Sequence, residues 1–405
     1  MEKRENMATG DGKMQRCEKI FPLEKRAILL ILFLMALNAF GRFYYMAFFA
    51  AALLVIVRYE AIKLPRAMLP ALLLSISLCL FSPNASVSFL GLLKQFTYPL
   101  CVVIGYNLVD GEKLKKRQSQ TTHLTLALAL GAYGHYLLNL LLNRGVVAER
   151  NMIDFWTRTT LSATGQATMA CMVVAVSVAF LFMSNGKTVK VFMVAILVSV
   201  LYYNLKLAGR TLLVLMAVAL LVAFVMKLAV SESRAARMRL IAGIVAAALI
   251  IMIVFLTNAF NLQNVIEESN FYDRFYGKNA MGISEDGRFD KKLQYISVML
   301  DHPFGGGNIR ARVGTYAHDI ILDTYDEGGL FAMIAILLML LDMIIKCARI
   351  IRGKRIAGDC KILTATFLTV IMLEFMVEPI LQGMPWLMAS YCVLYGAYGG
   401  LAEKI

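Results

Sequence analysis

The stretch Asp301-His302-Pro303-Phe304-Gly305-Gly306-Gly307 decides how this chain is organised, because it separates a long polar loop from the apolar run that begins near residue 319. Ala317-His318-Asp319 follows it, and Asp326-Glu327-Gly328-Gly329 lies inside the apolar run itself. Ionisable groups at the mouth of a membrane span are costly unless they meet water or a counter-charge. The stretch therefore predicts a functional site where a membrane-spanning helix meets water.

The rest of the chain is apolar enough to belong in a bilayer. Of its 405 residues, 59% are hydrophobic and the mean hydropathy is +0.67, which excludes an ordinary soluble domain. A helix needs roughly 20 apolar residues to cross a hydrocarbon core of about 30 Å. Runs of this kind predict an all-α, polytopic membrane protein, a single integral-membrane domain over 1–405 with about twelve spans. The spans are expected near 22–39, 41–58, 67–82, 89–108, 121–141, 166–184, 190–206, 211–229, 239–258, 319–345, 362–379 and 386–402.

Orientation follows from the basic residues, which sort to alternate connections. Because Lys and Arg stay on the cytoplasmic side, both termini, including the tail over 1–20, are predicted to be cytoplasmic. The formal charge of +14 is then mainly a topology signal and predicts no nucleic-acid partner. The basic connections contain Arg58, Lys63 and Arg66; Lys113, Lys115, Lys116 and Arg117; Lys187 and Lys190; Lys227, Arg234, Arg237 and Arg239; and Arg349, Arg352, Lys354 and Arg355.

Cysteine placement indicates neither a disulfide framework nor a thiolate metal site. The chain has seven cysteines; none lies in a predicted outer loop, and none is spaced as Cys-x-x-Cys. A buried cysteine most often acts as a small hydrophobe. We therefore expect no metal and no cofactor from this residue class.

The outer loop over 258–318 is predicted to be the functional segment, because it is the longest connection and large enough to form a small cap. Ser284-Glu285-Asp286-Gly287 is typical of a helix start, and Asp301-His302-Pro303 of a helix end. Between them the spacing predicts an amphipathic helix. It either lies against the membrane surface or on the bundle of spans, or it packs on other loops with its charges in water, and periodicity does not separate the two interpretations. Its apolar stripe consists of Phe289, Leu293, Ile296 and Leu300.

Three side chains are candidates for chemistry at the outer face. Arg210 opens a span after a very short outer turn, where an arginine is costly unless it meets a counter-charge or a water-filled cavity. Arg288 opens the amphipathic helix, whose free N–H groups favour an anion. Both guanidinium groups suit a diphosphate, because they stay charged and bond bidentately. His318 starts a span, and the ordinary histidine pKa of about 6.5 suits a group that accepts a proton from a hydroxyl.

Each candidate also has a purely structural interpretation. Arg210 could extend to the outer headgroups, Arg288 could be a solvated charge, and His318 could be a boundary residue. Other polar residues around the loop are expected either to bind substrate or to line a polar cavity, and at least one of Asp323, Asp326 and Glu327 could orient the imidazole of His318. They are Lys291, Arg310, Asp323 and Glu327, with Asp326, Glu374 and Glu378 open to the same two interpretations.

The order of these motifs resembles the O-antigen ligase and polymerase superfamily, bacterial integral-membrane glycosyltransferases of the GT-C type. The resemblance covers about residues 200–345, and the number of spans agrees for the rest. The family usually has His-Asn where this chain has His318-Asp319. The matching motifs are Gly209-Arg210-Thr211, Gly287-Arg288, His302-Pro303-Phe304-Gly305, and His318-Asp319 followed by Glu327-Gly328-Gly329-Leu330.

The resemblance implies an enzyme on the outer face of the bacterial cytoplasmic membrane that transfers glycan from undecaprenyl diphosphate. Arg210 and Arg288 would hold the diphosphate of the donor, and His318 would position or deprotonate the acceptor hydroxyl. Because diphosphate leaves readily, the transfer is expected to need no metal and no cofactor. The implied partners are the lipid-linked glycan donor, a glycan or lipid acceptor, membrane lipids and other polysaccharide-assembly proteins.

Three functions remain open at the level of sequence. A polymerase adds glycan to another lipid-linked unit, whereas a ligase moves the finished glycan to lipid A-core or protein. We favour the polymerase, because such enzymes serve O-antigen, capsule and exopolysaccharide pathways in many bacteria. A lipid-linked oligosaccharide flippase would have a similar number of spans, but a transporter has less need of a long outer loop with basic residues.

Overall fold

The chain folds as an all-α protein with one small β-hairpin. The computed structural model describes residues 22–58, 61–83, 89–109, 113–143, 151–231, 233–258 and 287–405, with the single positions 263, 267 and 272. The helices are α1 (Leu23–Ala36), α2 (Phe43–Arg58), α3 (Met68–Phe81), α4 (Phe89–Leu108), α5 (Leu114–Leu142), α6 (Ala163–Phe182), α7 (Lys187–Leu207), α8 (Arg210–Val230), α9 (Arg234–Leu256), α10 (Arg288–Val298), α11 (Asn308–Val313), α12 (Ile320–Arg352), α13 (Gly358–Phe375), α14 (Ile380–Gly383) and α15 (Pro385–Ala402). The hairpin pairs β1 (Asn151–Ile153) with β2 (Thr160–Ser162).

Each of the twelve predicted apolar segments coincides with a helix. Five of the described helices, α5, α6, α7, α8 and α12, are long and apolar enough to cross a membrane, as expected of a multi-pass membrane protein. They do not establish twelve crossings, because α2 and α3 have only 16 and 14 residues. At 1.5 Å per residue, 14 residues reach only about 21 Å.

Hydrogen bonds between helix connections sort into two sets, one at each end of the bundle. The first set joins Trp156 Nε1 to Leu37 O (3.0 Å), Lys292 Nζ to Met376 O (2.6 Å), and Gln382 Nε2 to Asp323 O (2.9 Å). The second set joins Lys63 N to Asn107 Oδ1 (2.9 Å), Ala357 N to Gln118 Oε1 (2.9 Å), and Ser184 N to Asp359 Oδ1 (3.0 Å). The first set lies where the sequence predicts the outer end, and the second where it predicts the cytoplasmic end.

Close helix crossings at glycine hold the interior together. A Cβ at Gly105 in α4 would overlap the backbone carbonyl of Val393 in α15, and one at Gly396 in α15 would overlap that of Val102 in α4. Small residues let helix backbones approach closely, which strengthens packing in a membrane where water drives no association. The two helices are thereby held in close contact where residues 102–105 of α4 cross residues 393–396 of α15.

Helix α12 is broken at Gly329, and a loop fills the break. Gly329 has φ +73° and ψ −165°, outside the helical region, and the helix continues on either side. The break frees backbone groups that the loop over 303–307 satisfies: Gly307 N donates to Asp326 O (2.7 Å), and Leu330 N donates to Pro303 O (2.9 Å). Gly306 N also points at Glu327 O (3.4 Å). Irregular backbone at membrane depth is tolerated only when it is satisfied in this way.

The loop over 303–307 enters the break only because glycine occupies the position of closest approach, Gly305. Gly305 has φ +72°, and a Cβ there would lie 2.6 Å from both Gly329 N and Tyr325 O. A Cβ at Gly329 would lie 2.5 Å from Pro303 O. The sequence analysis did not predict the break that this loop fills.

Replacing Gly305 by alanine should destabilise the protein strongly. The methyl group must displace backbone atoms as well as bear the left-handed conformation, so we expect a loss of several kcal/mol. Gly314→Ala is the matched control, because Gly314 also has a positive φ, +85°, but a Cβ there meets nothing within 4 Å. That change should cost only about 1–2 kcal/mol. Thermal unfolding in detergent measures both, and equal losses would contradict the packing described.

Candidate functional site

The Glu327 carboxylate lies where the loop, α3 and α12 meet. Ser82 Oγ donates to Glu327 Oε2 (2.5 Å), and Arg310 Nη1 donates to Glu327 Oε1 (3.1 Å). The Glu327 side chain is 4% exposed and that of Arg310 is 23% exposed. The guanidinium of Arg310 also stacks 4.7 Å from the centre of the Tyr316 ring. The structure thus pairs two residues that the sequence predicted separately as substrate ligands.

Arg310 remains firmly charged in this setting. Burial opposes its charge, but the neighbouring Tyr316, Glu327 and Asp326 outweigh that penalty and raise the Arg310 pKa. Its backbone is held as well, since Asp326 Oδ1 accepts from Ile309 N (2.9 Å) and Arg310 N (3.0 Å). Asp326 therefore holds the backbone of Arg310, and Glu327 holds its guanidinium group.

Asp323 shapes the turn that carries His318. Its two oxygens accept from Ala317 N (2.8 Å) and Asp319 N (2.9 Å). These bonds hold His318 with φ +56°, which an ordinary residue adopts only when its surroundings enforce it. Because both oxygens serve the backbone, Asp323 positions His318 in this structure, and its predicted contact with substrate is not tested.

His318 faces an acid from another segment. Its Nδ1 lies 3.9 Å from Glu378 Oε2, and the two side chains are 23% and 6% exposed. The adjacent Asp319 caps α12 by accepting from Ile321 N (3.0 Å) and pairs with Lys292 Nζ (3.0 Å). An aspartate at this position is thus accounted for by the cap and the ion pair. The family's more usual His-Asn could not form the ion pair.

Arg210 lies at the same end of the bundle as Glu378. Its turn is closed by Asn204, whose Nδ2 donates to Gly209 O (2.8 Å). At the other end of the same helix, Val230 contacts Gly358, where α13 begins. Because α8 and α13 pack together and run over similar lengths of about 30 Å, the start of α8 lies near the end of α13.

The predicted convergence of Arg210, Arg288 and His318 stays a prediction. Arg288 begins α10 and Gly287 precedes it with φ +58°, but the Arg288 side chain and the predicted helix start at 284–286 lie outside the described residues. Lys291 lies half-buried in the first turn of α10. The structure brings His318, Glu378, Arg310 and Glu327 to one end, and it adds Lys292 through its bond to Asp319.

The amphipathic helix has one buried and one exposed apolar face. Tyr295 is buried, and its hydroxyl donates to Thr315 O (2.7 Å). The predicted stripe lies on the opposite face and is not covered by any residue that the structure describes. Of the two interpretations, an exposed apolar face favours a helix on the membrane surface. The exposed fractions are 73% for Phe289, 50% for Leu293, 52% for Ile296 and 84% for Leu300.

Two adjoining cavities open at this end of the bundle. The larger, about 470 Å³, has a mostly polar lining that includes Glu327, Gln95 and Gln382. The smaller, about 260 Å³, lies between the hairpin and α15 and includes Asp154 and Trp386. Both are lined by Lys94 and Pro385, which therefore stand between them.

Sequence reasoning missed Lys94, although a signal was present. Lys94 is the one charged residue in the apolar segment 89–108. The rule that singled out Arg210, that a charge near a membrane span marks a functional position, applies equally to Lys94. The sequence prediction concentrated on the long outer loop and did not include Lys94.

A buried pair formed by His135 and Asp154 borders the smaller cavity, and sequence reasoning missed it as well. His135 Nε2 lies 2.7 Å from Asp154 Oδ2, and the His135 ring packs 5.1 Å from the Trp386 ring. Burial opposes the charge of Asp154, but bonds from His135 and Thr157 outweigh it and lower the Asp154 pKa. No local pattern predicts the pair, because Asp154 lies in a hairpin connection that the sequence did not predict.

Comparison with known proteins adds no identification. No family model matches the chain, and no curated protein matches its sequence.

Breaking the Arg310–Glu327 pair should destabilise the protein. Arg310→Met leaves the buried Glu327 carboxylate without its cation, so we expect a loss of about 3 kcal/mol or more. Arg312→Met is the matched control, because Arg312 pairs with Asp301 at the surface, where the two side chains are 59% and 65% exposed. It should cost less than about 1 kcal/mol. Thermal unfolding compares the two, and equal effects would mean that the pair contributes no more than a surface contact.

Proposed function

We propose that this chain is a glycosyltransferase of the bacterial cytoplasmic membrane that polymerises undecaprenyl-diphosphate-linked glycan units on the outer face. The observation that carries the proposal is the placement of His318, with Glu378 beside it, at the same end of an apolar bundle as two cavities that carry polar lining groups. Sites for sugars need hydroxyl, amide and carboxylate groups together with an aromatic surface. The two cavities offer hydroxyl, amide and aromatic groups in Thr157, Gln95 and Trp386, and the Glu327 carboxylate that lines the larger cavity is held by Ser82 and Arg310.

The proposed topology has twelve crossings with both termini in the cytoplasm. It is supported by the two sets of hydrogen bonds, which alternate between the ends of the bundle along the chain. It is also supported by charge, because the basic connections over 58–66, 113–117 and 349–355 belong to the end opposite His318. The exposed apolar stripe of α10 would then rest on the outer surface of the membrane.

The proposed reaction is a displacement at the anomeric carbon of the donor glycan. The acceptor hydroxyl gives its proton to Nε2 of His318, and its oxygen forms a bond to that carbon. The bond between the carbon and the diphosphate oxygen breaks, and its electron pair leaves with undecaprenyl diphosphate. Glu378, beside Nδ1 of His318, would stabilise the imidazolium that forms.

Arg210 and Arg288 are proposed to hold the departing diphosphate. Charge develops on the phosphate oxygens as the bond breaks, and fixed guanidinium donors stabilise it by a few kcal/mol each. This assistance would let the reaction proceed without a metal ion. A ligase would use the same chemistry with a different acceptor.

His318→Ala should abolish transfer while donor binding persists, because the imidazole acts on the acceptor and not on the diphosphate. Glycan transfer is measured with purified protein in liposomes that contain lipid-diphosphate glycan and a metal chelator. Binding of the same donor is measured separately. His123→Ala is the matched control, since His123 is exposed and bonds only within its own helix to Ser119. Full turnover by the His318 variant, or activity that appears only with added divalent cation, would contradict the proposal.

Arg210→Lys and Arg288→Lys should each lower transfer by about tenfold or more, because lysine keeps the charge but loses the bidentate contact. Arg312→Lys, at the same end but paired at the surface, should leave transfer unchanged. The measurement is glycan chain length in cells, corrected for the amount of inserted protein. Near-normal chain length in both arginine variants would remove the diphosphate role.

A further inference from the structure

Lys94 occupies a position that neither the resemblance nor the reaction above uses. It lies in the second turn of α4, at the predicted outer end, and lines both cavities. Within the described part of the chain its ammonium forms no hydrogen bond or ion pair. The Lys94 side chain is exposed, so water or an anionic ligand can meet its charge.

The acids in the two cavities are already satisfied by other groups. Glu327 is bonded through both oxygens, to Ser82 and to Arg310. Asp154 accepts from His135 through one oxygen and from the backbone and hydroxyl of Thr157 through the other. Neither carboxylate is therefore engaged with Lys94, and its positive charge is left to attract an anion between the cavities.

We infer that Lys94 binds the diphosphate of the lipid-linked donor, with a sugar-binding cavity on either side of it. This inference rests on the proposed function and identifies which residue outside the resemblance holds the substrate. The diphosphate is bonded to the anomeric carbon that the acceptor attacks, so it lies close to the boundary between the donor and acceptor sites. Lys94 stands in that position, and ammonium-to-phosphate contacts are strong because both partners are charged.

The shape of the smaller cavity supports a second glycan site. Its wall combines the Trp386 indole with hydroxyl groups of the hairpin, among them Thr157 and Thr159. Indole faces pack against the apolar faces of sugars, while hydroxyl groups bond to their edges. The volume, about 260 Å³, approaches that of ordinary small-ligand sites. The larger cavity, about 470 Å³, offers amide groups for the other glycan.

The chain carries its own reporter for this test. Its only two tryptophans are Trp386, which lines the smaller cavity, and Trp156, whose backbone N–H donates to Asp154 (3.0 Å). Purified protein in phosphatidylcholine nanodiscs is titrated with undecaprenyl diphosphate, undecaprenyl monophosphate or phosphatidylglycerol while tryptophan emission is followed. Wild-type protein should bind the diphosphate most tightly. Lys94→Gln should weaken that binding about tenfold, Lys94→Arg should stay within about threefold, and Lys187→Gln, at the opposite end, should match wild type.

A second measurement uses the wild-type protein and does not depend on how the variants fold. Undecaprenyl diphosphate should protect the Lys94 amine from acylation, as read by mass spectrometry, with Lys187 as the internal reference. Diphosphate binding by Lys94→Gln equal to wild type, together with an unprotected Lys94, would overturn the role of Lys94 and leave the proposed function standing. Wild-type protein that prefers phosphatidylglycerol to the diphosphate would overturn both.

Discussion

The site depends on the insertion of a glycine loop into a broken membrane helix. At Gly329 the chain leaves the helical region, and the groups freed at Asp326 and Leu330 bond to Gly307 and Pro303. No side chain larger than hydrogen fits at Gly305 without moving backbone, so the contact fixes the loop against the helix. Satisfying these groups internally is what allows an irregular segment to exist beside the bilayer.

The same contact arranges the charges. Acids on the helix side of the break, Glu327 and Asp326, hold Arg310 and the short helix that carries it. One turn earlier, Asp323 holds the His318 turn. Asp323, Asp326 and Glu327 thus form hydrogen bonds that position the segments around His318 and Arg310. A polar cluster at a membrane boundary is stable only when most of its members are paired in this way.

The sequence predicted the helices well, because an apolar run of bilayer length satisfies its backbone hydrogen bonds within one segment only as a helix. It also predicted the amphipathic helix, whose apolar spacing is a local signature. The functional role of His318 stays a prediction. The sequence did not predict the break at Gly329 or the pairing of His135 with Asp154, because these depend on which segments meet in three dimensions. Lys94 could have been identified as the one charge in an apolar segment. The inference that it binds an anion needed the cavities on either side of it.

The central claim is that a lipid diphosphate binds at the end of the bundle that carries His318. Photo-crosslinking of wild-type protein in nanodiscs with a photoreactive undecaprenyl diphosphate, followed by mass spectrometry of the labelled peptides, tests it most directly. The account predicts that the headgroup labels peptides over 89–98 and 308–319, and that excess unlabelled undecaprenyl diphosphate removes the labelling. Headgroup labelling confined to the opposite end, over 58–66, 113–118 and 352–359, would contradict it.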